Sequence, residues 1–368
     1  MNYITNKMKI KIIQFGYGNN GKDMAELLSR VPYFDLVEIW DNDKNKHGSF
    51  HENRYPILSP QKYSGIPIVI SVYQADGIKE QLIADYGFRE DAIFFKDFID
   101  RIIKENILSA YVEKDIEVSR KYCYKESHSA PIPVKSRVAI YTAIYGSYDE
   151  LIQPSVQDVM CDFICFTDNK MLKRNSGRWR VIYDKNPMPQ SRIQAKYFKL
   201  MSHKIFPRGR LSLKYGLLNR KYYDYIIWVD GNMFIKSPAF ARDLCGFLKN
   251  DWALFAHSHR DCIYDEVNAA IMRCGGQPII EQAIAYRSEG HPEHYGLWDC
   301  GVIIRKGNIC KELQRFNQAW WDENLKWTYR DQISLPYLVR KHNVNIDTIH
   351  KYVWDNEWFD RVRHVSER

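Results

Sequence analysis

No apolar run in the chain approaches the length needed to cross a bilayer, so no transmembrane helix is expected. The opening MNYITNKMKIKIIQF lacks the apolar core and small-residue cleavage site of a secretory signal, and a cytoplasmic location is the expectation. The eight cysteines, at 123, 161, 165, 245, 262, 274, 300 and 310, contain no pair of CxxC units. That spacing indicates neither a zinc ribbon nor a disulfide framework, and reduced thiols are expected. Internal repeats and low-complexity tracts are missing too. The formal charge of +8 is not gathered into a basic run, which argues against a nucleic-acid partner. Spread over 368 residues, it suits anionic substrates such as nucleotides, or peripheral contact with the inner face of an anionic membrane. The length itself suggests two domains, each able to bury a core. A hydrophobic fraction of 45% and a charged fraction of 27% are those of a globular protein, and 14% aromatic residues favour ring stacking and dense packing.

The order of elements is that of an α/β protein. A strand over residues 9–15 runs into Gly16-Tyr17-Gly18-Asn19-Asn20-Gly21 and then a helical pattern over 22–30, which is GxGxxG in a strand-turn-helix setting. A second strand, 35–40, ends at Asp41-Asn42-Asp43. In a dinucleotide fold Gly16, Gly18 and Gly21 let the backbone approach a diphosphate at the helix N-terminus, and Asp41 bonds a ribose hydroxyl. The other reading is that the glycines only permit the tight turn and the acids cap a loop. Further alternation over 66–106 completes a small parallel, Rossmann-like sheet over residues 1–110, with NAD or another nucleotide as its candidate ligand. Residues 111–136 lose periodicity and end in Ala130-Pro131-Ile132-Pro133, which reads as a linker.

In the second domain, 137–368, three apolar strands each end near an acid: 138–143 before Asp149, 162–166 before Asp168, and 225–229 at Asp230. Parallel strands put such ends on one rim, where ligands of open α/β sheets bind. Asp230-Gly231-Asn232 also reads as a simple turn. The segment 191–199 is helical by pattern and sets Arg192, Lys196 and Lys199 on one face, which is either a diphosphate-binding surface or a solvated basic stripe. Strand 252–255 leads into His257-Ser258-His259-Arg260-Asp261, where phosphate or sugar contact is favoured over zinc. Trp298-Asp299, at the entrance of a strand over 302–305, could stack on a sugar and bond its hydroxyls. Asp331 opens a helix over 333–340, as a cap or as a ligand-facing acid. The aromatic tail, 349–358, could close over a site.

YTAIYGSYD (141–149), CFTDN (165–169), the RxxxKxxK segment from Arg192, IIWVDGN (226–232), AHSHRDCIYDE (256–266) and RDQISLPY (330–337) resemble a family of glycosyltransferases. Its members are found in bacterial surface-polysaccharide loci and among plant Golgi proteins, with a GT-A-like fold. The resemblance implies a nucleotide-diphospho-sugar donor bound by Tyr141, Thr142, Asp149, Asp168, Arg192, Lys196, Lys199, Asp230, Asn232, His257, Arg260, Glu266, Trp298 and Gln332. Asp230 takes the place of the DxD motif, and the chain departs from it in carrying Asn232, whose amide oxygen is a weaker ligand for manganese or magnesium than a carboxylate. A late histidine supplements the acid in some GT-A enzymes, which implies His350 beside Asp230 and Asn232. Asp299 or Asp331 is the expected base if the reaction inverts the anomeric centre; if it retains, the leaving phosphate serves.

The expected activity is sugar transfer to a glycan or lipid-linked acceptor in capsule or lipopolysaccharide assembly. An NAD-dependent oxidoreductase or epimerase is the alternative, weakened because no Tyr-x-x-x-Lys pair follows the glycine loop. A non-catalytic sugar-nucleotide-binding protein is the other, with Asn232 marking lost metal chemistry.

Overall fold

Ile12, Ile13, Gln14 and Phe15 are all buried, so strand β1 (Ile10–Phe15) is covered on both faces, as the central strand of a parallel sheet must be. The computed structural model describes residues 9–72, 75–109, 129–185, 188, 190–215, 221–274 and 276–364. Helix α1 (Asn19–Arg30) follows β1 and buries Met24, Ala25, Leu27 and Leu28, one stripe at helical spacing. The chain continues through β2 (Phe34–Trp40), β3 (Phe50–His51), β4 (Tyr55–Leu58), β5 (Ile68–Ile70), α2 (Ala75–Ala84), β6 (Ile93–Phe94) and α3 (Lys96–Leu108). The strands form one six-stranded sheet in the order β3-β4-β2-β1-β5-β6, parallel throughout except for β3 against β4. Connections run outward from β1 on one side and then return to its other side, so the order reverses between β1 and β5.

The second sheet is built from β7 (Arg137–Ile144), β8 (Met160–Thr167), β9 (Asn175–Ser176), β10 (Trp179–Tyr183), β11 (Tyr225–Val229), β13 (Trp252–Ala256), β14 (Trp298–Lys306) and β15 (Asp347–Ile349). Its order is β15-β13-β14-β11-β7-β8-β10-β9, with β7, β8, β10 and β11 parallel and β14 antiparallel to both neighbours. The carboxyl ends of the parallel strands therefore share an edge with the start of β14. Helices α4 (Ser191–Leu200), α9 (Lys311–Lys326) and α10 (Asp331–His342) pack together along β7 and β14. Short α5 (Ser202–Ile205) follows α4. A separate core joins the sheet to α6 (Phe240–Gly246) and to the ribbon of β12 (Met233–Ile235) and β16 (Phe359–Arg361), through Ile140, Ile227, Leu244, Phe255 and Phe359.

The chain divides into two compact units, Met1–Lys114 with Val267–Gly290, and Asp115–Glu266 with His291–Arg368. Helix α7 (Ile263–Ala270) runs from the second into the first, and α8 (Ile279–Ser288) lies wholly in the first, against α3. Two successive domains, 1–110 and 137–368, joined by one linker do not describe this excursion. Most of the linker expected over 111–136 falls in 110–128, outside the described residues. Among the described residues no helix is long and apolar enough to cross a membrane.

Candidate functional site

Strand β11 ends because its last sheet bond, from the Asp230 N–H to the Gly301 carbonyl (2.9 Å), is followed by a turn in which the Met233 N–H donates to the Asp230 carbonyl (3.1 Å). The Asp-Gly-Asn turn and the rim acid are thus one object. Gly231 leaves room for Asp149, since a Cβ at this position would lie 2.9 Å from Asp149 Oδ2. Asp230 Oδ1 accepts from Trp228 Nε1 (2.7 Å) and from the Lys199 ammonium (3.0 Å). Among the described residues Oδ2 has no partner, and the side chain is 35% exposed.

Lys199 also lies 2.8 Å from Asp331 Oδ2, which Lys196 reaches at 2.6 Å. Two lysines from one face of α4 are therefore neutralised by the acid that ends β11 and the acid that starts α10. Burial alone would raise the Asp331 carboxyl, yet the two ammonium groups hold it well below the usual carboxylate range. Burial would likewise lower Lys199, and Asp230 with Asp331 hold it above its ordinary value. A carboxylate so firmly ionised is a weak proton acceptor, which makes Asp331 an electrostatic anchor rather than a base.

Beside this network Asn232 Nδ2 donates to the Val362 carbonyl (3.0 Å) and faces His364 Nε2 at 3.5 Å. His364 Nδ1 sits 2.8 Å from Asp149 Oδ1. The His364 ring thus bridges Asp149 and Asn232. Arg192, at the exposed start of α4, stacks on the rings of Tyr148 and Tyr329, 4.8 and 5.4 Å from their centroids, and donates to both hydroxyls. Asp168 holds the β7 loop by accepting the Gly146 N–H at 3.1 and 3.2 Å from its two oxygens. One edge of the sheet thus carries Asp149, Asp168, Asp230, Asn232, Asp331, His364 and the basic face of α4.

A family model described as TOD1/MUCI70, glycosyltransferase-like domain, matches residues 126–362, well over half of the chain. The chain belongs to the TOD1/MUCI70 family. A curated relative, "Probable hexosyltransferase MUCI70" of Arabidopsis thaliana, is 26% identical over 227 residues, which is 54% of this chain and 36% of the relative. The chain therefore spans little more than a third of that relative's length. The family match ends at Val362, two positions before His364.

Within the TOD1/MUCI70 region several expected ligand residues have other employment. Trp298 opens β14 and is fully buried, with Nε1 donating to Thr348 Oγ1 (3.0 Å), so its ring has no face for a sugar. Tyr141 is buried as well, and its hydroxyl donates to the Phe198 carbonyl (3.1 Å). Thr142 and Gln332 are buried on the same sheet edge and at the start of α10. Glu266 is a buried clamp between Arg260 (2.8 Å) and Arg330 (2.9 Å), and those guanidiniums offset the cost of burial and keep it ionised. His257 stands 3.7 Å from Glu266, and its burial favours the neutral ring. Asp299, the other expected base, accepts from the Gly301 N–H (2.8 Å) and pairs with Arg361.

His350 follows β15, which β13 and β14 separate from β11. Strands spaced about 4.8 Å apart put the two strand ends roughly 14 Å from each other. The histidine that reaches Asn232 is His364. Sequence reasoning missed it because 132 positions separate the two residues and no pattern marks the tail. The carboxylate oxygen of Asp230 without a partner among the described residues and the Asn232 amide oxygen are ligand types that a hard divalent cation takes, and His364 Nε2 lies beside them, 3.5 Å from Asn232 Nδ2.

In the first unit Gly16 has φ +99°, which favours glycine, and a Cβ on Gly21 would lie 2.2 Å from the Gly16 carbonyl oxygen. A Cβ on Gly18 would meet nothing within 4 Å. Asp41 does not offer a free carboxylate for a ribose. It accepts the N–H groups of Tyr17 (2.6 Å) and Asp43 (2.8 Å) and pairs with Lys46 (3.0 Å), so it fastens the glycine loop to the end of β2.

Proposed function

We propose that this chain moves a glycosyl group from a nucleotide-diphospho-sugar to a glycan or lipid-linked acceptor, in the assembly of a bacterial surface polysaccharide such as capsule or lipopolysaccharide. The observation that carries the reading is the convergence on one sheet edge of Asp230, Asn232 and His364 with the Lys199–Asp331 pair, in a chain of the TOD1/MUCI70 family. Breaking the bond between sugar and diphosphate leaves charge on the departing phosphate, and that charge must be met by fixed positive groups. A manganese or magnesium ion held by Asp230, Asn232 and His364 would supply Lewis-acid neutralisation there. Arg192, exposed and braced by Tyr148 and Tyr329, is the protein's own cation for the diphosphate. Lys199 keeps Asp230 in place at the rim, while Asp331 offsets the buried ammonium. Peripheral contact with an anionic membrane face follows from the positive charge and a lipid-linked acceptor.

The test is thermal stabilisation and transfer with UDP-, GDP-, CMP- and ADP-linked sugars and with NAD(H), each with and without manganese, on the wild type and Asp230→Ala. A sugar nucleotide that stabilises the wild type, with a manganese-dependent part lost in the variant and turnover lowered ~100-fold or more, supports the reading. Stabilisation by NAD(H) alone, unchanged in Asp230→Ala, would transfer the activity to the first unit.

A further inference from the structure

Away from the rim that holds Asp230, the segment after β13 gathers a second set of chemically distinct ligands. Cys262, buried, immediately precedes α7, Asp265 lies one turn further on, and His294 comes from the exposed loop before β14. One ligand atom from each lies within 4.8 Å of the other two. Tetrahedral ligands at zinc bond lengths stand about 3.5 Å apart, so closure needs a shift of about 1 Å, which the exposed His294 ring can supply. The imidazole is already oriented, because its Nδ1 sits 2.6 Å from Asp261 Oδ1. A carboxylate taking Nδ1–H leaves Nε2 with its lone pair, the form a metal requires, and a carboxylate behind a histidine is the usual outer support of such ligands. Backbone N–H groups of His294, Tyr264 and Asp265 point at the Cys262 sulfur, so a thiolate there would be met by donors. Without an ion, burial outweighs those donors and keeps the group a thiol.

We propose that Cys262, Asp265 and His294 form a binding site for a borderline divalent transition ion of the zinc class, with Asp261 as its positioning residue and a fourth position open to water. Thiolate, imidazole and one carboxylate select such an ion over the magnesium or manganese suited to oxygen-rich ligand sets. Binding forms the metal–sulfur bond and releases the thiol proton to solvent. The ion would tie the start of α7 to the loop before β14, two segments already joined by the Gly296 N–H to the Asp261 carbonyl (2.9 Å). The proposal does not depend on glycosyl transfer.

The full chain, stripped by a chelator, is titrated with zinc against a chromophoric zinc indicator, and separately with cobalt while the thiolate-to-cobalt absorption is followed. One equivalent per chain is expected, with the cobalt–thiolate band and one proton released on binding. Cys262→Ser and His294→Ala should lose the equivalent, Asp261→Asn should weaken it about 10–100-fold with the band retained, and Asp230→Ala should leave it intact. Should Cys262→Ser fail to fold, His294→Ala, whose side chain is exposed, decides alone. Failure of zinc to compete with the indicator, or an unchanged equivalent and cobalt spectrum in His294→Ala, overturns the proposal.

Discussion

At the end of β2, Asp41 accepts two backbone N–H groups and a lysine of its own loop, whereas at the end of β11, Asp230 is held through one oxygen only and keeps the other at the rim. Both strands lie in parallel sheets and both end in an acid followed within two residues by a further polar side chain. The difference is what surrounds them. Around Asp41 the glycines serve backbone geometry, with Gly16 at positive φ and Gly21 packed on the Gly16 carbonyl. Around Asp230, Lys199 arrives from α4, Asp331 from α10 by way of Lys199, and His364 from the C-terminal tail by way of Asn232, elements that no local turn requires. A strand-end acid satisfied by its own loop and by the backbone of the neighbouring turn is a structural lock, and one held from distant side chains is a candidate site.

The widest gap between the two edges should appear when the buried pair is broken. Asp331→Ala leaves Lys199 and Lys196 without their shared partner and should cost about 3–5 kcal/mol in urea denaturation. The pH dependence follows from the sign of the shift. The Asp331 carboxyl is lowered from 3.8 in the folded protein, so its contribution is complete above pH 3.8 and is lost as pH falls toward the folded value. The stability difference between wild type and Asp331→Asn should therefore stay constant from neutral pH to about 4 and shrink below it. A difference that already declines between pH 7 and 5 would show that the pair is not the source.

Next in size are the glycines. Alanine favours a helix over glycine by about 1 kcal/mol, but the contact at Gly21 is with backbone and cannot be relieved by a rotamer, so Gly21→Ala should destabilise by about 1–3 kcal/mol. Gly18→Ala meets open space and should cost under about 1 kcal/mol, that of a poorer helix cap. Equal effects at the two positions would contradict the packing account. A normal melting curve for Gly18→Ala combined with loss of stabilisation by a nucleotide would restore a ligand to the glycine loop. Asp41→Asn should cost about 1–3 kcal/mol, because the Tyr17 and Asp43 N–H groups are accepted by different oxygens, of which an amide keeps one, and the partly exposed Lys46 pair is lost as well.

Much of this architecture could be read from the chain. The runs at β1, β7, β8 and β11 are mainly apolar toward their carboxyl ends, which is what strands buried on both faces require, and each gives way to glycine or polar turn residues. The basic face of α4 was equally legible, since spacings of four and three residues fix it, but its neutralisation by Asp331 was not, because that partner lies 135 positions away. The uninterrupted burial that reveals a central strand also conceals which residues face a ligand. Trp298, at the start of β14, and Tyr141, within β7, are polar-tipped aromatics, and the sequence offers no means of telling a sugar platform from a core ring with an internal hydrogen-bond partner. Helix α9 is less legible, although Leu313, Phe316 and Trp320 are buried at helical spacing, because charged and amide residues fill the positions between them. His364 had no signal at all: its partners, Asp149 and Asn232, are brought to it only by the return of β16 beside β12.

The passage of 267–290 into the first unit has a practical consequence for anyone wishing to study the halves separately. The polypeptide changes unit three times, so no single scission frees either half. Protein expressed from residue 129 onward would retain the whole rim yet carry α8 stripped of its neighbours, with Ile279, Ile280 and Ile284 laid open to water and prone to aggregate. Replacing 267–290 by a short polar bridge is the edit that would yield an independent second half.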